Sequence, residues 1–121
     1  VHDCARPCVS REAIDQVFDA AARTGAACLA CPVSDTLKRV DKAGNCVETI
    51  SREGLWAAQT PQVFARKLLI DAYSRRNQLQ GPITDDCQLV EALNHPILMV
   101  QNDPTNIKIT TRRDIALASA I

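Results

Sequence analysis

The chain has 121 residues and a hydrophobic fraction of 46%, which suit one packed domain. Fourteen Lys and Arg residues balance fourteen Asp and Glu residues, so the formal net charge is zero, and this excludes the overall positive field of a typical nucleic-acid-binding protein. No apolar run approaches the roughly 20 residues that a membrane-spanning helix needs, so the sequence predicts no membrane partner.

The first eight residues place His-Asp and then Arg-Pro directly after an apolar position. In an open α/β sheet, ligands bind at the carboxyl ends of the strands, where polar residues of this kind follow. Asp3 can hold a hard cation there, and Arg6 can grip a phosphate with its planar fork of donors. Only one residue of the predicted strand precedes Asp3 and there is no initiator Met, so we expect the carboxyl-terminal part of something longer.

A helix and then a buried strand are predicted next. Ser10 is a typical N-cap, and Gly25 is placed to end the helix in a left-handed conformation. Residues 26–33 are apolar without alternation, which is typical of an interior strand in a largely parallel sheet. The helical spacing predicts an apolar face made of Ile14, Val17, Phe18, Ala21 and Ala22.

Residues 36–50 predict a β-hairpin, because two alternating segments flank the turn sequence at 41–45. Neither segment carries an evident core, and a lone two-stranded hairpin is marginally stable in water. We expect the hairpin to lie against another subunit or to project as an arm. A solvated edge hairpin is the alternative.

The rest of the chain predicts helices and short strands, after residues 55–64 return the chain to the body of the domain. Thr84 is expected to cap a helix with acidic residues in its first turn, and Thr111 with Asp114 resembles a capping box. Strands are predicted at 97–100 and 107–110. A helix at 65–76 is predicted to have an apolar face made of Leu68, Leu69, Ala72 and Tyr73.

Six cysteines raise the question of zinc or disulfides, since C-x3-C at 4–8 and C-x2-C at 28–31 loosely imitate a zinc-binding set. Residues three apart on a strand point to opposite faces, which argues against chelation by the second pair. We therefore expect small buried cysteines in a reducing, cytoplasmic setting, with a zinc site or a disulfide as alternatives.

No glycine-rich phosphate loop is present, and no Ser-His-Asp or Cys-His arrangement stands out. Instead, side chains that suit phosphates recur on predicted loops, where hydroxyls, Arg forks and Lys charges can meet an anion. They are Asp3, Arg6, Thr36, Lys38, Arg39, Arg52, Thr84 and Lys108. The residues alone therefore predict part of an α/β enzyme that handles a phosphorylated small molecule.

Six motifs in register carry a resemblance to a known family. They are Val-His-Asp-Cys-Ala-Arg-Pro-Cys at 1–8, Pro-Val-Ser-Asp-Thr-Leu-Lys-Arg at 32–39, Arg-Glu-Gly-Leu-Trp at 52–56, Gln-Thr-Pro-Gln-Val-Phe at 59–64, Ile-Thr-Asp-Asp at 83–86 and Asn-Ile-Lys-Ile-Thr at 106–110. In this order and spacing the chain resembles the 2-C-methyl-D-erythritol 4-phosphate cytidylyltransferases of the non-mevalonate isoprenoid pathway. The ribitol-5-phosphate cytidylyltransferases share several of these motifs and are the nearest alternative.

The resemblance implies an α/β fold, a partial Rossmann-like nucleotidyltransferase domain over 1–121 with a projecting β-hairpin arm at about 34–53. It also implies CMP transfer from CTP to methylerythritol phosphate with Mg²⁺, and a homodimer in which the arms are swapped. The family's amino-terminal half, which holds the glycine-rich loop, is absent from the sequence. We therefore expect the isolated chain not to catalyse, and a non-catalytic dimerising half-domain is the alternative. The expected location is the cytoplasm, or a plastid for a plant-type source.

The resemblance also implies a role for each matching residue. Asp3 would serve the metal and the substrate, while Arg52 and Lys108 would hold the methylerythritol phosphate for attack. Arg6, Thr36 and Thr84 would contact the same substrate. An acidic site residue is expected before Asn106, and Asp103 is the candidate, with a turn-forming Asp as the alternative. Cys4 departs from the family, which usually has Ala at this position.

Overall fold

Two sheets and four α-helices make up the protein, whose residues 1–121 are all described by a computed structural model. The predicted α/β class is confirmed. In chain order the elements are α1 (Arg11–Thr24), β1 (Ala26–Pro32), β2 (Leu37–Val40), β3 (Cys46–Ile50), β4 (Trp56–Phe64), α2 (Arg66–Ser74), a 3-10 turn (Arg76–Gln78), α3 (Asp86–Glu91), β5 (Leu98–Gln101) and α4 (Arg112–Ala120).

The main sheet has the strand order β4-β1-β5. The central strand β1 pairs antiparallel with β4 and parallel with β5, so the sheet is mixed, and the prediction of a largely parallel sheet is wrong. Helices cover both faces, and this buries the first five residues of β1 completely. The sequence pattern did not reveal β4 as a strand, because Gln59, Thr60 and Gln62 interrupt its apolar residues.

Helix α1 begins and ends where the sequence predicts. The Ser10 hydroxyl accepts a hydrogen bond from Ala13 N at 3.1 Å, and Gly25 adopts a left-handed conformation with φ of 84°. The predicted apolar face is wrong at Phe18, whose exposed fraction is 55%, and at Ala22, which is also exposed. Successive helical residues are about 100° apart, so Phe18 points away from the face that Val17 buries. The buried residues are Ala13, Val17, Ala20 and Ala21, and the small alanines let the helix approach the sheet closely.

On the opposite face of the sheet, α2 and α3 pack over Ala26 around a core that contains Ala72, Leu89 and Val90. Tyr73, predicted on the apolar face of α2, is 46% exposed and donates a hydrogen bond to the Asp86 carboxylate. If the Tyr73 phenol were buried, its hydroxyl would lose the hydrogen bond to Asp86, so Tyr73 lies at the edge of this core.

The predicted cap of α3 is also wrong by one residue. Asp85 is the N-cap, and its Oδ1 accepts from Gln88 N at 3.0 Å. Thr84 lies before the cap, where its backbone N–H and its hydroxyl both contact Gln88 Oε1. Both residues are good caps in principle, and a charged carboxylate at a helix start is favoured by the helix dipole.

Near the carboxyl terminus, β5 confirms the predicted strand at 97–100, but 107–110 is not a strand. That segment contacts the first loop through Ile109 N, which donates to Ala5 O at 2.8 Å, without forming a ladder. The capping box of α4 is confirmed, and Asp114 Oδ2 accepts from Thr111 N at 2.7 Å.

The predicted hairpin is confirmed, since β2 and β3 form a separate antiparallel sheet. Within its turn, Asp41 Oδ1 accepts from Ala43 N and Asn45 N, both at 2.9 Å. Its strands are exposed except at Leu37 and Ile50, so the hairpin projects from the body as an arm.

All six cysteines are free thiols. The prediction that they are buried holds for Cys28 and Cys87, but it is wrong for Cys4 and Cys46, which are exposed. No group of three or more His, Cys, Asp and Glu side chains is arranged to hold a metal ion. None of the helices has the length and apolar character that crossing a bilayer requires.

Candidate functional site

A cavity of about 500 Å³ lies where the first loop, the middle of β4, the segment before α3 and the loop after β5 meet. This volume falls within the range of small-molecule sites. Four of the predicted site residues line it together, although they come from distant parts of the chain: Asp3, Arg6, Thr84 and Lys108.

Two cations hold the Asp3 carboxylate. Lys108 Nζ lies 3.1 Å and Arg6 Nε lies 3.4 Å from Asp3 Oδ2. Burial acts to raise the pKa of Asp3, but the hydrogen bond and charge of Lys108, together with the charge of Arg6, outweigh it and leave the pKa below its ordinary value. Asp3 is therefore ionised at neutral pH, and two cations with one carboxylate leave one net positive charge at this end of the cavity.

Arg6 is largely buried, with a side-chain exposure of 13%. Its Nη1 donates to Asn106 O at 2.6 Å, so the guanidinium connects the first loop to the segment that carries Lys108. Because Arg6 also lines the cavity, the same side chain brings positive charge to the cavity and holds the wall in place.

Thr60 is a cavity residue that the sequence analysis missed. Its hydroxyl accepts from Asp3 N at 3.0 Å and lies 2.8 Å from His2 Nδ1. His2 Nε2 lies 3.1 Å from Arg6 O, which can only accept, so Nε2 carries the hydrogen and Nδ1 accepts from Thr60. The signal that could have revealed Thr60 is its spacing from Gln62, since alternate residues of a strand face the same side.

Gln62 fixes another wall of the cavity. Its Nε2 donates to Asp85 Oδ2 at 2.9 Å, and its Oε1 accepts from Cys87 N at 3.2 Å. One buried amide of β4 thus holds both the N-cap and the first turn of α3. This contact sets the position of Thr84, which directly precedes that cap.

At the far end of the cavity lie Tyr73, Arg76 and Asp86. The hydrogen bond from the Tyr73 hydroxyl to Asp86, with partial burial and the charge of that carboxylate, raises the pKa of Tyr73. The phenol is therefore protonated at neutral pH and acts there as a donor. The two ends of the cavity differ, because cations dominate the Asp3 end only.

Five predicted site residues lie outside this cavity. Two of them, Lys38 and Arg39, donate across the hairpin to Thr49 and Glu48. Thr36 and Arg52 flank the hairpin, where Arg52 donates to Ser34 O and closes the base of the arm. Asp103 lines a different cavity, with Ser10 and Asn102. Its Oδ1 accepts from Thr105 N at 2.8 Å, which is the turn-forming role that was the alternative for this residue, and that bond lowers the pKa of Asp103.

A divalent cation fits the cavity only if its coordination is shared between the protein and a bound substrate. Asp3 offers carboxylate oxygens, but there is no cluster of three protein ligands around it. Mg²⁺ commonly binds through one or two carboxylates and completes its octahedron with substrate phosphates and water. The donor set is therefore compatible with an ion that arrives with a phosphorylated substrate, and not with a metal held by the chain alone.

The family described as 2-C-methyl-D-erythritol 4-phosphate cytidylyltransferase (IspD) matches residues 1–121. Among curated relatives that carry this description, the protein of Desulforamulus reducens is 48% identical over 120 residues, which are 99% of this chain and 51% of the relative. The protein of Bacillus licheniformis is 46% identical over 121 residues, which are 100% of this chain and 52% of the relative. The chain thus spans about half the length of the curated relatives it matches.

Solved structures agree with these sequences. The cytidylyltransferase of that description from Thermus thermophilus has a TM-score of 0.88 at 43% identity, over 99% of this chain and 59% of the other. The Francisella tularensis protein also has a TM-score of 0.88, at 34% identity, over 99% of this chain and 57% of the other. The likeness confirms the predicted fold class, a partial Rossmann-like α/β domain with a projecting hairpin.

Proposed function

The chain belongs to the 2-C-methyl-D-erythritol 4-phosphate cytidylyltransferase family, and we propose that the whole protein transfers CMP from CTP to 2-C-methyl-D-erythritol 4-phosphate. CDP-methylerythritol and pyrophosphate are the products. The observation that carries the proposal is the pair of cations, Arg6 and Lys108, held at Asp3 in a cavity of small-molecule size. The relatives described above are named for methylerythritol phosphate, which supports this substrate over ribitol 5-phosphate.

The proposed reaction needs no covalent enzyme intermediate. An oxygen of the substrate phosphate forms a bond to the α-phosphorus of CTP while the bond from that phosphorus to the bridging oxygen breaks, and the electron pair leaves with pyrophosphate. Catalysis of such a transfer consists mainly of positioning and of neutralising charge. The ammonium of Lys108 and the guanidinium of Arg6 supply positive charge to the substrate phosphate, and the Thr84 hydroxyl supplies a hydrogen bond. Thr60 acts indirectly, since its hydroxyl accepts from Asp3 N and so positions Asp3.

Asp3 is the residue that we propose for Mg²⁺. The ion, when bound, would neutralise charge on the phosphates of the two substrates. Its approach is helped because Asp3 stays ionised, as the cations beside it lower its pKa. Those same cations repel a free divalent ion, so binding is expected to require substrate phosphates.

The arm is proposed to complete the site across a homodimer. Thr36 and Arg52 lie away from the cavity of their own chain, and the arm is exposed along both strands. Val40 and Val47 are 59% and 61% exposed, which leaves apolar surface for a second copy to cover. We propose that each arm brings Arg52 and Thr36 to the cavity of the partner. We also propose that the enzyme is cytoplasmic.

The proposed function is tested by pyrophosphate release from the full-length protein with CTP and each candidate substrate. We expect turnover with methylerythritol phosphate and little with ribitol 5-phosphate. Lys108→Ala should lower kcat/KM by about 10²–10³-fold, because it removes one charge-stabilising donor. Lys67→Ala, an exposed change of the same type on α2, is the matched control. Turnover by Lys108→Ala within threefold of the wild type would contradict the site, and no turnover by the wild type would contradict the function.

A further inference from the structure

Two amide side chains are buried below the segment that carries Lys108. Gln59 on β4 is 6% exposed and Asn106 is 2% exposed. Amide side chains are mostly found at protein surfaces, and burying one is unfavourable unless its polar atoms are hydrogen-bonded. Asn106 Oδ1 has no hydrogen-bond partner, so the burial of this amide carries a cost. The contacts of the pair show what it does.

The Gln59 amide holds the loop after β5 at three points. Its Oε1 accepts from Asn102 Nδ2 at 2.9 Å and from Asn106 Nδ2 at 3.1 Å. Its Nε2 donates to Asp103 O at 3.2 Å. A rigid strand of the main sheet thus fixes both ends of the loop 102–106.

Asn106 connects that loop to the rest of the site. Its Nδ2 also donates to the backbone oxygen of Thr60 at 2.9 Å, and its own backbone carbonyl accepts from Arg6 Nη1 at 2.6 Å. Both hydrogens of the Asn106 amide therefore lie on acceptors. Turning the amide over would place Oδ1 against Gln59 Oε1 and Thr60 O, so one orientation is strongly preferred. Lys108 follows two residues later, with Nζ 3.1 Å from Asp3 Oδ2.

We propose that Gln59 and Asn106 are positioning residues that set where the Lys108 ammonium lies. The segment 107–110 is not held by the hydrogen bonds of a strand ladder. Because a lysine side chain is flexible, the position of the Lys108 ammonium depends on the position of the Lys108 backbone. A misplacement of about 1 Å can lower a reaction rate by about 10²-fold. Asn106 does not line the cavity, and Gln59, which does, has its amide hydrogen-bonded to the loop.

The first test replaces the amide donor without changing its size. Asn106→Asp puts a carboxylate oxygen against two acceptors, and we expect kcat/KM in the full-length protein to fall by about 10–100-fold, while the Kd for CTP stays within twofold. Gln59→Leu, which removes all three loop contacts, should act in the same direction. Asn77→Asp, the same change at an exposed position, is the control and should leave kcat/KM unchanged.

A double-mutant cycle separates positioning from general structural damage. In a Lys108→Ala background there is no ammonium to misplace, so Asn106→Asp should lower kcat/KM by less than threefold. An equal fold loss in the wild-type and Lys108→Ala backgrounds would overturn the proposal. This kinetic readout rests on the proposed function.

A second readout needs no turnover. Reductive ¹³C-methylation of the full-length protein gives each lysine a dimethylammonium NMR signal, and the Lys108 signal is identified by its loss in Lys108→Arg. We expect Asn106→Asp to shift the Lys108 signal and to leave the Lys67 signal in place. An unmoved Lys108 signal would overturn the positioning role even if the proposed reaction is observed, and a shifted one would support it even if the reaction is not.

Discussion

At the scale of single residues, the Asp3 carboxylate sets the electrostatics of the cavity. It lies between Lys108 and Arg6, and it is one-third exposed, with a side-chain exposure of 34%. Such partly exposed ion pairs contribute little to stability. In the proposed function, the carboxylate keeps the two cations side by side for the substrate phosphate.

The lowered pKa of Asp3 predicts a pH-dependent contribution to stability. Because the folded pKa is below the ordinary value of 3.8, the contribution is present above about that pH and is lost as the pH falls through the folded pKa. We expect Asp3→Asn to lower the free energy of unfolding at pH 7 by less than about 1 kcal/mol, after allowing for solvent screening.

Urea unfolding of the full-length protein at pH 7 and at pH 3 measures this contribution. The difference between the wild type and Asp3→Asn should shrink at the lower pH, whereas Asp15→Asn, an exposed change on α1, should give the same small difference at both. A difference that grows on acidification would contradict the assigned direction of the pKa shift.

Residue chemistry identified part of the site from sequence. Asp3, Arg6, Thr84 and Lys108 were selected as phosphate-binding side chains, and the fold brings them together. Thr60 was not selected, because its alternation with Gln62 is informative only once β4 is known to be a strand. Its role depends on His2 and Asp3, nearly sixty residues away, and contacts of that separation have no periodicity to detect.

At the scale of elements, local rules succeeded where a terminus is defined by its own residues. Ser10, Gly25 and the Thr111–Asp114 box all lie where capping chemistry predicts. The same rules failed at Asp85, because two adjacent residues can both cap and packing against Gln62 selects one of them. They also failed for β4, whose polar residues face a cavity instead of solvent.

Gly25 gives an element-scale prediction. Its left-handed conformation disfavours any side chain, and a Cβ there would also lie 3.3 Å from the His95 ring. We expect Gly25→Ala to lower the free energy of unfolding by about 1–2 kcal/mol from the backbone alone, with a further loss from His95. Gly81 has φ of 87° but open space around it, so Gly81→Ala is the matched control. Equal denaturant midpoints for the two variants would show that the His95 ring moves aside without lowering the free energy of unfolding.

At the scale of the whole molecule, the body and the arm have different roles. The body holds the cavity, whereas the arm has little core of its own and carries predicted site residues that its own cavity does not include. The sequence predicted the arm because its turn and alternation are local. The cavity that the arm serves is not a local property, so turn residues and alternation do not determine it.

Mixing two inactive variants tests the swapped arm. If Arg52 and Lys108 of one site come from different subunits, then Arg52→Ala mixed with Lys108→Ala gives mixed dimers with one intact site each. Half of the dimers are mixed after equal exchange, so we expect about a quarter of the wild-type activity. Lys108→Ala mixed with Asp3→Asn should restore nothing, because both residues belong to the body. No recovery after verified exchange would count against the swap.

The Asp3–Lys108 and Arg6–Asn106 contacts also have a kinetic consequence. The Arg6–Asn106 bond joins residues 100 positions apart in a chain of 121. Contacts between such distant residues require the closure of a long loop, and folding slows as they become more numerous. Helix α1 and the hairpin can form from neighbouring residues, but the cation pair at Asp3 exists only once the sheet has brought the two ends of this region together. A probe on Lys108 would therefore report the closure of this long loop, separately from the formation of α1 and the hairpin.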